Sequence, residues 1–229
     1  MIGREFHLQD HALYLEVFKL AAQIPSGKVS TYGAIARALG DVSASRAVGQ
    51  IMSADRERPF QVPCHRVIYS DGRTGWYTGM GRGAERKRDL LRSEGVDIAD
   101  DRVKDLEKAV FTDFSGDPLL SRMAEAQRAV ASSVSQEGDA TRFVRLAALD
   151  VSYSGDEAFA AMVMIDRNGD VLEERTARCT VNFPYVPGYL GFREMRPCSA
   201  VIGEPRKDTL YLIDGHGRAH PRRAGVACQ

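Results

Sequence analysis

The sequence predicts a two-domain protein of mixed α+β and α/β class, in which a helical first half precedes a strand-rich second half. Apolar residues recur at helical spacing between residues 11 and 52, and β-branched runs follow residue 142. Between these regions, residues 115–118 read Ser-Gly-Asp-Pro, a sequence typical of a linker. We therefore predict domains at residues 1–112 and 118–229.

In the first domain, helical spacing over residues 11–24 ends at Pro25, Ser26 and Gly27, which stop a helix. A short helix is expected over residues 31–40, and Ser43 or Ser45 caps another that runs through Met52. Two short helices joined by a tight turn predict a helix-turn-helix, with the second as recognition helix. A last helix is expected to follow the basic stretch around residue 85 and to run through residue 93.

The second domain is expected to begin with an amphipathic helix over residues 119–134. Four strands follow, predicted at residues 143–151, 158–165, 171–176 and 209–213. The sequence Asp-Arg-Asn-Gly at residues 166–169 is a hairpin turn signal between the second and third strands.

Charge and cysteine content limit the function classes. The chain has 31 Lys and Arg against 31 Asp and Glu, although residues 1–94 hold 14 basic and 10 acidic residues. Binding to nucleic acid needs a local basic face rather than a basic total. The four cysteines show no Cys-x-x-Cys spacing, so neither a disulfide framework nor a zinc site is indicated. No apolar run approaches the ~18 residues of a membrane span, and we expect a cytoplasmic protein without membrane contact.

Cys64 is the first candidate for chemistry, because it lies directly before His65 and Arg66 between two apolar, β-branched stretches. Cationic neighbours lower the pKa of a thiol and favour the reactive thiolate. The alternative is a buried, inert thiol, which is common for free cysteines. The Cys-His pair by itself leaves both interpretations open.

The surroundings of Cys64 resemble the DNA-binding, active-site domain of the O6-alkylguanine-DNA alkyltransferases. The resemblance covers residues 12–97 and rests on the stretches 24–40 and 46–52, the sequence Pro-Cys-His-Arg-Val at 63–67, and the stretches 75–79 and 91–95. It implies a winged-helix domain that binds double-stranded DNA containing O6-alkylguanine. The cysteine separates this chain from the alkyltransferase-like proteins, which carry tryptophan at that position.

The resemblance also implies roles for single residues. Cys64 attacks the alkyl group, His65 relays its proton through water and Glu94 orients the histidine, with no cofactor. Arg46 would enter the DNA stack, Ala47 and Gly49 would allow close approach to the minor groove, and Tyr32 would help to rotate the nucleotide. The guanine pocket implied by the resemblance is lined by Met52, Val67, Tyr77 and Thr78. The usual hinge asparagine is replaced by Arg56, from which we expect reduced activity.

The second half resembles the front portion of endonuclease V, through the stretches 149–155, 183–190, 192–194 and 212–222. This likeness implies a ribonuclease H-like domain acting on deoxyinosine in DNA, with Mg²⁺ held by Asp150, Glu194 and Asp214 and with His220 near the scissile phosphate. Tyr185 belongs to the implied wedge, between two prolines, that enters the minor groove. The implied base pocket contains Gly188, Leu190, Gly215 and Gly217.

Two further expectations concern this second domain. His216 and His220 are four residues apart, but the neighbouring Gly215, Gly217 and Pro221 favour a loop over a zinc-binding helix. The family continues beyond the portion matched here, so we expect a C-terminally incomplete domain with an open sheet edge or face and weak or absent cleavage.

The sequence therefore predicts DNA repair by methylated-DNA-[protein]-cysteine S-methyltransferase activity, joined to a deoxyribonuclease V-like domain. One alternative is a non-catalytic sensor that flips and flags alkylated bases. Another is a cysteine hydrolase using Cys64 and His65, which is disfavoured because adjacent residues on one strand point to opposite faces. The oligomeric state and the preferred alkyl adduct are left open.

Overall fold

A computed structural model describes residues 12–54, 58–77 and 83–229. The chain divides into two compact units, one formed by Ala12–Arg122 and the other containing Met123–Gln229. The division falls within the helix Leu119–Ser133, a few residues after the predicted change of composition. In the described ranges, no helix is long and apolar enough to cross a bilayer.

The first unit begins with three helices: α1, Ala12–Ala22; α2, Tyr32–Ala38; and α3, Ser45–Ser53. The three predicted helices are thereby confirmed, but the predicted cap of α3 by Ser43 or Ser45 is wrong, because its N-cap residue is Ala44, which makes no side-chain cap hydrogen bond. Thr31 caps α2, since its Oγ1 accepts a hydrogen bond of 3.0 Å from the amide of Ala34. Side chains from all three helices form a common core: Leu13, Val17, Ile35, Val48 and Ile51.

Four very short strands, which were not predicted from the sequence, complete this unit. Strand β1, Ser30–Thr31, pairs in parallel with β2, Val67–Ile68. The second pair is antiparallel and joins β3, Ile98–Ala99, to β4, Arg102–Val103. Two residues per strand carry no readable alternation, which is why these strands escape a pattern-based prediction.

Two more helices pack near these strands: α4, Ala84–Ser93, and α5, Leu106–Ala109. Helix α4 confirms the last predicted helix of the first domain. It buries Leu91 in a cluster with Val29 and Ile68, so strand and helix residues far apart in the chain share one core. A 3₁₀ turn, Cys64–Arg66, directly precedes β2.

The second unit is built on a four-stranded mixed sheet in the order β7-β6-β5-β8. Its strands are β5, Arg145–Ser154; β6, Glu157–Asp166; β7, Val171–Thr180; and β8, Thr209–Ile213. All four predicted strands are confirmed. Strand β7 runs four residues beyond its prediction, because antiparallel pairing with β6 continues to Thr180.

Two helices belong to this part of the chain: α6, Leu119–Ser133, and α7, Leu190–Ile202. Helix α7 lies between β7 and β8 in sequence and packs its Cys198 and Val201 against one face of the sheet. Strand β8 then pairs in parallel with β5. This crossover places the end of β8 beside the middle of β5, where two predicted site residues lie.

Alternation along the strands separates a buried from an open face. Leu149 and Met162 point into the core beneath α7. On the opposite face Phe159, Val163 and Leu212 are exposed by 40%, 39% and 47%, respectively. This face of the sheet therefore leaves apolar side chains exposed.

Candidate functional site

The turn Cys64–Arg66 sets Cys64 into the wall of a cavity of about 360 Å³ in the first unit. Pro63 precedes the turn, and the Cys64 amide donates to the carbonyl of Val62 at 2.8 Å. The Cys64 Sγ lies 3.4 Å from the same carbonyl oxygen, and the residue is only 8% exposed. The cavity is lined by Tyr32, Ser45, Arg46, Gly49, Gln50, Met52, Ser53, Cys64, Tyr69, Trp76, Tyr77 and Lys87.

Glu94, at the end of α4, ties together the two residues that follow Cys64. Its Oε1 lies 2.8 Å from His65 Nε2, and Arg66 reaches both carboxylate oxygens at 2.8 and 2.7 Å. Arg66 also donates to the carbonyl of Ile24 at 2.7 Å. Burial acts to raise the pKa of Glu94, but the hydrogen bonds from Arg66 and His65 outweigh it and lower the pKa.

The expectation that chain neighbours lower the pKa of Cys64 is wrong. Burial, the largest effect, raises the pKa of the thiol above its ordinary value. The charges of Arg58 and Lys87 and the amide hydrogen bond offset this only in part. The adjacent Arg66 contributes little because its guanidinium is occupied by Glu94.

The predicted recognition helix α3 presents one face to the cavity and another to the core. Arg46 and Gly49 lie on the cavity side together with Met52. Ala47 is 2% exposed and belongs to the core, so the structure does not bring it to the predicted DNA-facing surface. The reason is helical geometry, since Ala47 shares its face with the buried Val48 and Ile51.

Aromatic rings form another part of the cavity wall. Tyr32 lies 5.6 Å from Tyr69 between ring centroids, and Tyr77 meets His65 edge-on at 6.3 Å. Burial, then Tyr69 and Cys64, raises the pKa of Tyr32 to about 12, so its hydroxyl remains protonated. Trp76 is 67% exposed beside them.

Several site predictions differ from this arrangement or lie beyond it. The Val67 side chain is fully buried and does not line the cavity, although its carbonyl accepts a hydrogen bond from Lys87 at 2.6 Å. Thr78 and Arg56 lie outside the described residues. Three residues that line the cavity were not predicted from the sequence: Tyr69, Trp76 and Lys87. Of these three residues, only Trp76 stands out in the sequence, because it is the single tryptophan of the chain.

In the second unit, the three predicted carboxylates lie on elements that are neighbours in the fold. Asp150 lies on β5 and Asp214 directly follows β8, where the parallel register pairs Leu149 with Ile213. The Asp214 amide donates to the Leu149 carbonyl at 3.3 Å. Glu194 on α7 is 7% exposed and accepts a hydrogen bond of 3.3 Å from the Tyr153 hydroxyl.

The pKa of Glu194 is affected by the other two carboxylates. Burial is the main cause that raises the pKa of Glu194, and Asp150 and Asp214 raise it further, against the hydrogen bond from Tyr153. Such crowding of negative charge is relieved when a cation binds, and carboxylate oxygens are the donors that Mg²⁺ prefers. Within the described ranges, however, no group of three or more His, Cys, Asp or Glu side chains is gathered closely enough to hold a metal ion.

His220 has both ring nitrogens occupied by the backbone. Nδ1 accepts from the amide of Arg222 at 3.0 Å, which requires Nε2 to donate to the carbonyl of Gly188 at 3.1 Å. Burial and then the charge of Arg222 lower the pKa of His220, so the ring is neutral near pH 7. His216 lies 6.4 Å away between ring centroids. The engaged nitrogens give a further reason to reject a zinc site.

The other predicted site residues of this unit differ in exposure and in backbone geometry. Tyr185 is 56% exposed, whereas Leu190 is half-buried at the start of α7. Gly188 has φ +80°, and its carbonyl also accepts from Arg222 Nη2 at 2.6 Å. Gly215 packs against Val226 so closely that a Cβ would clash, while a Cβ at Gly217 would make ordinary contacts. Gly215 is therefore required by packing, whatever else it contacts.

Each half of the chain matches the model of a known protein family. The DNA-binding domain of 6-O-methylguanine DNA methyltransferase matches residues 12–96, and Endonuclease V matches residues 127–229. Among solved structures, the endonuclease V of Streptomyces avermitilis is 38% identical, with a TM-score of 0.42, and covers 46% of this chain and 50% of its own.

Two relatives match nearly the whole chain, and each carries the name bifunctional methyltransferase/endonuclease. The protein of Picrophilus torridus is 36% identical over 220 residues, which are 96% of this chain and 70% of the relative. That of Thermoplasma volcanium is 35% identical over 227 residues, or 99% of this chain and 68% of the relative. The two halves of this chain thus occur together, in the same order, in proteins of one kind, and the chain belongs to the bifunctional methyltransferase/endonuclease family.

Proposed function

We propose that this protein acts in DNA repair, with Cys64 accepting an alkyl group from O6-alkylguanine in double-stranded DNA. The observation that carries the proposal is a cysteine in the wall of an open cavity, followed directly by a histidine that is hydrogen-bonded to Glu94. In the transfer, a bond forms between Cys64 Sγ and the alkyl carbon while the bond from that carbon to O6 breaks. The electron pair leaves with O6, and the thiol proton passes through His65 and water to the departing guanine.

The cavity supports a flipped-base mechanism in a winged-helix domain. A guanine within the stack is out of reach, and rotating it out costs a few kcal/mol. The exposed Arg46 at the cavity rim is suited to fill the gap in the stack. Tyr32, Met52 and Tyr77 offer a largely apolar surface for the base, and the protonated Tyr32 hydroxyl can donate a hydrogen bond.

Mass spectrometry of the intact protein after incubation with O6-methylguanine DNA tests this function. We expect one methyl group per molecule, located on Cys64, with no turnover, because a thioether has no good leaving group at neutral pH. Cys64→Ser should abolish transfer and keep binding to the lesion. Repeated turnover, or methylation of Cys179, Cys198 or Cys228, would contradict the assignment.

A second candidate function is a lesion sensor that binds the flipped base without accepting the alkyl group. The raised pKa of Cys64 favours it, because a protonated thiol is a poor nucleophile. The same mass spectrum decides between the two candidates. A sensor would bind O6-methylguanine DNA and leave the mass of the protein unchanged.

For the second unit we propose a ribonuclease H-like nuclease of the endonuclease V type that acts on deoxyinosine in DNA. Asp150, Glu194 and Asp214 would hold Mg²⁺. Their oxygen donors support this choice, as does the rise that Asp150 and Asp214 cause in the pKa of Glu194. Held by these three residues, Mg²⁺ would supply positive charge near the scissile phosphate and would lower the pKa of a water molecule. The exposed Tyr185 is suited to occupy the gap left by a displaced base, while Gly188, Leu190 and Gly217 would line its pocket.

A further inference from the structure

Gln127 on helix α6 is only 1% exposed, although its side chain carries a polar amide. Burying an amide is costly unless hydrogen bonds satisfy it. Its Nε2 donates to the carbonyls of Gly188 and Ala224, at 3.2 Å in each case, and its Oε1 accepts from Arg222 Nε at 2.7 Å. A guanidinium can only donate and a carbonyl can only accept, so these partners fix the orientation of the amide.

The partners of Gln127 lie in two irregular segments of the second unit. One is in the wedge segment, residues 183–189, which directly precedes α7. The other two are in the glycine loop, residues 214–225, which directly follows β8. Gly188 and Ala224 are 61 and 97 positions away from Gln127 in the sequence. A single buried side chain thus joins two segments that are far apart along the chain.

The Gly188 carbonyl is the point at which these contacts meet. Besides Gln127, it accepts from Arg222 Nη2 at 2.6 Å and from His220 Nε2 at 3.1 Å. The Arg222 guanidinium also lies over the ring of Tyr189, 4.2 Å from its centroid. The wedge segment is therefore bound to the glycine loop directly, and Gln127 binds both of them to α6.

This network determines how far apart the two segments lie. Irregular segments lack the repeating backbone hydrogen bonds of a helix or sheet, so side-chain bonds hold them in place. A buried network whose members are all satisfied favours one arrangement over others. Tyr185 and Gly188 lie on the wedge segment and Gly217 lies on the glycine loop. The width of a pocket between these residues follows from the separation of the two segments.

We propose that Gln127 is a positioning residue of the second unit: its buried amide holds the wedge segment and the glycine loop in one arrangement and thereby sets the pocket for the displaced base. The base in this statement rests on the proposed function. The joining of the two segments belongs to the free protein and can be measured without DNA.

The first experiment measures hydrogen–deuterium exchange in the full chain without DNA, by mass spectrometry of peptides. Gln127→Met keeps the length of the side chain but removes its strong donors and its oxygen acceptor. Two carbonyls and a guanidinium then lose a partner, so exchange in the wedge segment and the glycine loop should become about tenfold faster. Exchange in β6 should stay at the wild-type rate. Unchanged exchange in the two segments, or an equal increase in β6, would overturn the inference.

The second experiment measures the affinity of the same variant for duplex DNA by fluorescence anisotropy. Affinity for a deoxyinosine duplex should fall about tenfold, because misplaced contacts no longer meet the base, and affinity for the same duplex without deoxyinosine should change little. Thermal unfolding shows that the variant is folded under these conditions. An equal loss on both duplexes would show that Gln127 only stabilises the fold, and would contradict a positioning role.

Gln136→Met is the matched control, since Gln136 is an exposed glutamine shortly after α6. Its exchange rates and both affinities should coincide with the wild type. A wild-type protein that binds the two duplexes equally would disprove the proposed function of the second unit. If exchange in Gln127→Met still rises in the two segments alone, the joining of these segments by Gln127 stands.

A further measurement covers the case in which Gln127→Met does not fold. The side-chain amide protons of Gln127 are followed by ¹⁵N NMR in the native protein. Because each proton has a carbonyl partner in the buried network, they should exchange slowly with solvent, and more slowly still when the deoxyinosine duplex is bound. Rapid exchange of these protons, or equal slowing by the unmodified duplex, would contradict the inference.

Discussion

For the pKa of the Cys64 thiol, burial has a larger effect than the residues adjacent to it in sequence. Cys64, His65 and Arg66 are consecutive, yet their environments differ completely. Arg66 and His65 are held by Glu94, while the thiol is buried and its pKa raised. The Arg66 guanidinium is paired with the Glu94 carboxylate through a hydrogen bond of 2.7 Å. Charge-assisted hydrogen bonds of this kind hold a partly buried ion pair by geometry as well as by charge.

The first residue-scale prediction concerns Glu94→Gln. Because the folded state lowers the pKa of Glu94, its stabilisation is present above the unfolded carboxyl pKa of about 4.3 and is lost as the pH falls through the folded value. We expect the variant to lose about 1.5–3 kcal/mol of unfolding free energy at pH 7, and much less at pH 3. Chemical denaturation at both pH values measures this. Glu85→Gln, an exposed change in the first turn of the same helix, should have a clearly smaller effect, and an equal loss at both pH values would contradict the ion-pair account.

The second residue-scale prediction concerns Arg46→Ala. Repair rates should fall at least tenfold on duplex O6-methylguanine DNA and much less on single strands or free O6-benzylguanine, because the side chain only offsets lost stacking. Arg92→Ala, an exposed change on α4, should leave all three rates near wild type. Equal losses on all three substrates would show that Arg46 supports the fold instead.

Helix α3 illustrates the element scale, since its two faces serve different purposes. Ala47, Val48 and Ile51 fill the core, while Arg46 and Gly49 face the cavity. A Cβ on Gly49 would lie 3.8 Å from the Tyr32 ring, an ordinary contact. Packing within the protein therefore does not require glycine at position 49. The close approach of a binding partner to this part of α3 explains the glycine better.

Gly49→Ala tests that explanation. Alanine in place of a mid-helix glycine should stabilise the unit by about 0.5–1 kcal/mol. If the helix approaches the DNA backbone closely, affinity for duplex DNA should nevertheless fall severalfold. Thermal unfolding and fluorescence anisotropy with labelled duplex measure the two effects. Unchanged affinity would place the closest DNA approach elsewhere on α3.

At the scale of the whole molecule, the candidate site residues of each unit lie on a separate framework. In the first unit Cys64 lies in a 3₁₀ turn at the cavity wall, and in the second Asp150 lies on β5, Asp214 directly follows β8 and Glu194 lies on α7. In the described part of the chain, those carboxylates are electrostatically coupled without forming a gathered metal-binding group. A site held loosely loses about 10²-fold in rate for a misplacement of ~1 Å.

We therefore expect feeble nicking of a deoxyinosine duplex in Mg²⁺, although Mg²⁺ or inosine-containing DNA can still bind. Gel electrophoresis scores cuts near the lesion, with Asp150→Asn as the inactive variant and Asp156→Asn, an exposed turn residue on the same sheet, as its control. Robust nicking that disappears only in Asp150→Asn would show that the carboxylates are well placed for catalysis.

The sequence by itself determined the helices α1 to α4 and α6, the four long strands and the sequence stretches that carry the resemblance to the two families. Local periodicity and turn residues set these elements, since neighbours along the chain determine which face can be apolar. Two-residue strands such as β1 and β2 left no such pattern.

Only the tertiary structure decided which side chains meet and which are buried. Glu94 reaches His65 across 29 positions, Lys87 enters the Cys64 cavity from α4, and Ala47 and Val67 turn into the core. The same packing raised the pKa of Cys64, against the expectation from its neighbours. Desolvation and charge pairing depend on what packs around a group from distant parts of the chain, and a linear pattern carries no record of that.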